Sequence, residues 1–151
     1  YGVNRTEAFW LFIDIDRRNL NEIFPPKPAQ AELSLFHTGR KLATHEQVKP
    51  AQLPVAELDA MVGRAAASLE QGALGGFVAE VKSYGQALAE LGLVAPHTSQ
   101  ALAGLHEMPG VLAAKGCGAM GADVIMVVHT NADLGAWAQE NSLAPVGNFP
   151  V

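Results

Sequence analysis

The segment Val111 to Val128, V-L-A-A-K-G-C-G-A-M-G-A-D-V-I-M-V-V, places a glycine-rich loop between two apolar runs of strand character. Aliphatic and β-branched residues on both sides favour extended chain. Between them Gly116, Gly118 and Gly121 free the backbone to take positive φ and let another group approach its N–H row closely. Two structures satisfy this pattern. One is a β-hairpin with a bulge; the other is a concave cradle of N–H groups for a phosphate or carboxylate. Lys115 closes the first run, where its ammonium would either reach into that concavity or stand as a solvated edge charge.

The remainder of the chain supplies elements to pack around this pair. Ala8 to Ile15 is short, aromatic and β-branched, as expected of a central strand, and Asp16 to Gln30 with Pro25, Pro26 and Pro28 reads as a stiff exposed connection. Glu32 to His37 alternates as a second strand, followed by a turn at Thr38 and Gly39. Apolar residues then recur at helical spacing over Val55 to Leu69 and Leu74 to Leu91, so each stretch carries one apolar stripe. Ser99 to His106 predicts a shorter helix with Thr98 as N-cap, and Ala132 to Asn141 another capped by Asn131. Strands are expected over Val111 to Ala114, Asp123 to His129 and Leu143 to Val146. This order predicts one α+β domain over residues 1–151, a ferredoxin-like two-layer sandwich with helices packed on one face of an antiparallel sheet.

With 151 residues, 49% of them hydrophobic, the chain has material for one buried core without disulfides. Its single cysteine, Cys117, excludes an internal disulfide and any multi-cysteine metal site, and the cytoplasm is the expected compartment. A net charge of −5 with scattered basic residues argues against a nucleic-acid or anionic-membrane partner. No apolar run approaches the roughly 20 residues of a bilayer span.

The loop pairs with a second motif about 70 residues upstream, Leu33 to Val48, L-S-L-F-H-T-G-R-K-L-A-T-H-E-Q-V. Together they resemble the C-terminal half of the GHMP kinase superfamily, the ATP-dependent small-molecule kinases, and most of all its mevalonate kinase and phosphomevalonate kinase members. Thr38, Gly39 and Thr44 match the family's strand-turn-helix layout. Ala114, Lys115, Gly118, Ala119 and Gly121 match its late glycine motif, whereas Cys117 stands where a hydroxyl is usual and Met120 and Ala122 each replace a glycine. The resemblance implies a substrate- and phosphate-binding wall built from Lys115, Gly116, Cys117, Gly118, Ala119, Met120 and Gly121 together with Thr38, Gly39, Arg40, Lys41 and Thr44. It also implies a small anionic metabolite as substrate, and ATP and Mg²⁺ held mainly by an N-terminal half whose phosphate loop and catalytic aspartate do not occur here. On this reading the chain is one half of a longer product, has no catalytic residue of its own and is inactive alone. Pro25 to Pro28 and Phe149 to Val151 are candidate contacts with that half, and a bare face would favour a homodimer. The alternative is a non-catalytic ferredoxin-like module that binds a ligand or dimerises.

Other side chains carry weaker signals. Asp14 and Asp16 share a strand face as a Mg²⁺ pair would, and a strand end meeting solvent explains them as well. Asp123 either accepts N–H bonds from the loop or simply opens a strand. The five histidines show no ligand spacing, so no metal site is expected. Cys117 is either a nucleophile in a ring of amides or a small residue in a tight loop.

Overall fold

A computed structural model describes residues 30–40, 54–118 and 121–151. Its elements, in chain order, are β1 (Glu32–His37), α1 (Val55–Glu70), α2 (Leu74–Glu90), α3 (Pro96–Ala103), β2 (Val111–Cys117), β3 (Val124–His129), α4 (Gly135–Glu140) and β4 (Ala144–Pro150). The expected strand over residues 8–15 and the proline connection lie outside the described residues.

The four strands form one sheet in the order β2-β3-β1-β4. Every neighbouring pair is antiparallel. β1 and β2 flank β3, so the chain between them must cross the sheet, and the helical block does this. The fold is α+β, as the sequence predicts, with the split connectivity of a ferredoxin-like sandwich, but helices cover both faces of the sheet and not one.

Strand alternation decides what each helix covers. Leu33 and Leu35 of β1 and Met126 and Val128 of β3 face α1 and α2, where they pack against Leu58, Val62 and Ala65 of α1 and Phe77, Val81 and Tyr84 of α2. These long helices form the second layer, tied at their exposed surface by Arg64 to Glu80 at 2.7 Å. Residues of opposite parity, Phe36, Ile125 and Val127, gather a smaller cluster with Ala101 and Leu105 at α3 and with Leu134, Trp137 and Ala138 at α4. Phe36 meets Trp137 edge to face at 5.1 Å, and the indole N–H donates to the Ala101 carbonyl at 2.8 Å, so a large aromatic is buried with its polar atom satisfied. Among the described residues no helix is long and apolar enough to cross a membrane.

Several boundaries differ from the sequence reading. α3 starts at Pro96, whose missing N–H costs nothing in the first helical turn, so Thr98 lies inside the helix. Asn131 takes φ +50 instead of capping α4, and the Gly135 N–H is met by the Asp133 carboxylate at 3.2 Å. β4 runs on to Pro150. Its Pro145 and Pro150 are tolerated because it is an edge strand.

Candidate functional site

β2 and β3 form a hairpin whose connecting loop closes tightly on itself. A Cβ at Gly116 would stand 2.6 Å from the Gly121 carbonyl oxygen and 2.8 Å from Cγ2 of Thr98, so only glycine permits this approach. Gly118 and Gly121 take φ of +85 and +59, the left-handed turns that glycine makes at least cost. Within the loop the Gly121 N–H donates to Gly118 at 3.0 Å and the Asp123 N–H to Cys117 at 3.2 Å. Two donors of the N–H row are thus already engaged. The Asp123 carboxylate lies over Gly118, with Oδ2 2.7 Å from where a Cβ would be, and this places negative charge at the mouth of the loop.

Three side chains from two other elements hold the loop's exit. Thr98 donates to the Gly121 carbonyl at 2.8 Å, and the His97 ring lies 3.3 Å from the Ala122 carbonyl. The Thr38 hydroxyl also donates to Ala122. Thr38 further donates its N–H to Asp123 at 2.9 Å and accepts the Arg40 N–H at 3.1 Å. The turn is shaped by Gly39, at φ +72, whose N–H meets Nδ1 of His37 at 2.9 Å. Thr38 and the glycine loop, far apart in sequence, therefore become one continuous surface because β1 pairs with β3 and brings His37 opposite Val124.

Lys115 departs from expectation. Strand alternation turns its side chain toward the helices and away from the loop's mouth, so it is only 2% exposed. Its ammonium lies 4.3 Å from the centre of the Tyr84 ring, where a cation is drawn to the π face. Gly85 makes room, since a Cβ there would meet the Lys115 Cβ at 3.3 Å. Burial lowers the pKa of this lysine to about 8, against the opposing electrostatic influence of Cys117. The Cys117 thiol is buried in the same core, 3.9 Å from the Lys115 carbonyl.

Of the sequence-derived site residues, Thr38 is bonded to Ala122 and Asp123 at the exit of the loop that holds Gly116, Gly118 and Gly121, and Gly39 and Arg40 follow Thr38 in the same turn. The side chains of Lys115 and Cys117 turn into the core instead. Ala119, Met120, Lys41 and Thr44 lie outside the described residues, as do Asp14 and Asp16.

One constellation that the sequence did not suggest sits at the opposite end of β3. Ser34 Oγ lies 2.8 Å from Nε2 of His129, and Glu32 lies 4.0 Å from Nδ1. This order of groups resembles a hydrolytic triad, but the hydrogen bonds run the wrong way. The Ala132 N–H donates to Nδ1 at 3.3 Å, so Nδ1 carries the lone pair and Nε2–H donates to serine. A histidine in that tautomer takes no proton from the hydroxyl. Pairing of Glu32 with His129 across β1 and β3 is what assembles the group, and no short-range motif announces it.

No protein-family model matches this chain, and no curated protein is significantly similar to it.

Proposed function

We propose that the chain is the substrate-side domain of an ATP-dependent small-molecule kinase of GHMP type, working in the cytoplasm. Supporting this reading above all is one observation: Thr38 of the upstream motif and the glycine loop of the downstream motif are fastened together through the Ala122 and Asp123 carbonyls. Phosphoryl transfer depends on positioning and on donors that neutralise spread charge. In this proposal the closed hairpin is a rigid wall against which a separate nucleotide-binding half presents ATP and Mg²⁺. The substrate is a small anionic metabolite, and a homodimer is compatible with the arrangement.

A second reading, a non-catalytic ligand-binding module of ferredoxin-like form, draws support from the engaged N–H groups of Gly121 and Asp123 and from the carboxylate over Gly118. Both make the loop a poorer direct cradle for phosphate. The readings separate in one assay. The full polypeptide carrying this domain is incubated with γ-labelled ATP and, in turn, mevalonate, phosphomevalonate, homoserine and galactose. Label on one acceptor supports the kinase, and no transfer to any of them favours the module.

A further inference from the structure

A groove of about 560 Å³ runs along the outer edge of β2, between α2 and α3. It lies on the far side of β3 from the Thr38 turn and shares Ala114, Lys115, Gly116 and Gly121 with the hairpin. Its size falls in the range of small-molecule sites. Its chemistry is lopsided: Lys82 and His106 contribute to the wall, Lys115 lines it with its ammonium turned away to Tyr84, and no carboxylate lines it among the described residues. This stands out in a chain whose acidic residues outnumber its basic ones, 15 to 10. Glu90, one turn beyond Gln86, accepts a hydrogen bond from that residue's amide at 3.0 Å. The rest of the wall is hydrocarbon, chiefly Leu88, Val94 and Leu102.

We infer that this groove binds a small organic anion with a short hydrocarbon body. The acid group lies toward Lys82 and His106, and the hydrocarbon lies along the aliphatic wall. Lys82 and His106 are solvent-exposed, so they meet an anion without a large desolvation cost. The inference rests on the lining of the groove and not on the kinase reading, although Lys115, Gly116 and Gly121 belong to both sites.

The test is an NMR titration of the full chain with hexyl phosphate and, separately, hexanoate, using inorganic phosphate and 1-hexanol as head-only and tail-only controls. Shifts are expected at the His106 ring and at the Gly85 and Ser99 amides, with either amphiphile binding more tightly than both controls. The stronger of the two identifies the acid group. Lys82→Gln should weaken binding by about fivefold, the scale of a solvent-exposed ion pair. Ala89→Glu, at an exposed position of the groove wall, should abolish it without disturbing the core. Arg64→Gln on α1 should leave it unchanged. Binding of hexanol equal to that of the amphiphiles, shifts insensitive to Ala89→Glu, or no shifts at all would overturn the inference.

Discussion

The two faces of the sheet bury polar groups by opposite means. Beneath α3 and α4 three buried polar side chains meet partners of fixed geometry: the Trp137 indole at Ala101, the Thr98 hydroxyl at Gly121, the His129 ring at Ser34. Beneath α1 and α2 the buried polar group is a cation, Lys115, held over an aromatic ring among aliphatic side chains. Hydrogen bonds satisfied in pairs stabilise a core modestly, whereas a charge moved out of water opposes folding. One face gains stability from its polar groups, and the other loses it.

The sharpest way to break this comparison is at the seam between the faces. Gly116→Ala would drive a methyl into the Gly121 backbone and Thr98. A loss of roughly 3 kcal/mol is expected, the upper range for overpacking, read as a lower midpoint in urea unfolding. An unchanged midpoint would mean the hairpin is not closed as described.

Next in size is Lys115→Met, which keeps the volume and removes the charge. It should raise stability at pH 7 by about 2 kcal/mol, as replacement of buried charges by apolar groups does. The sign of the pH dependence follows from the pKa, which is lowered from 10.5 to about 8. Below about pH 8 the lysine is protonated in both states and the penalty is full. Between about 8 and 10.5 the folded protein sheds the proton while the unfolded chain keeps it, so wild-type stability rises with pH. Lys115→Met should lack that rise. Urea melts at pH 7 and 9 on both proteins measure it, and parallel curves would refute the burial of the charge.

On the opposite face the effect is smaller. Ser34→Ala leaves Nε2–H of His129 without its acceptor and should cost about 1 kcal/mol. Burial lowers the His129 pKa below its ordinary 6.5, against the opposing pull of Glu32. As pH falls through 6.5 the unfolded chain takes up a proton before the folded one does, and stability declines down to the folded-state pKa. Thermal melts between pH 5 and 7.5 should show this slope.

How much of this was legible beforehand depends on the range over which the signal acts. The stripes Leu58, Val62, Ala65 and Phe77, Val81, Tyr84 announce α1 and α2 because helical period is local. The glycine loop announces the hairpin for the same reason. The burial of Lys115 is decided by strand parity and by the position of α2 above it, and a lysine at the end of an apolar run reads equally well as a solvated edge. Thr98 illustrates a second limit. Before a helix a threonine looks like a cap, yet Pro96 opens the helix earlier and frees the hydroxyl for Gly121. The Ser34, His129 and Glu32 group depends wholly on register between β1 and β3, which no local motif fixes.

The attachment of the Thr38 turn to the glycine hairpin unites the two motifs, and amide hydrogen exchange on Thr38→Ala tests it most directly. Loss of the hydroxyl should speed exchange at the Gly121 and Asp123 amides, with Met126 and Val127 in the middle of β3 unaffected. Unaltered exchange at Gly121 and Asp123 would contradict the attachment and remove the principal support for the kinase reading.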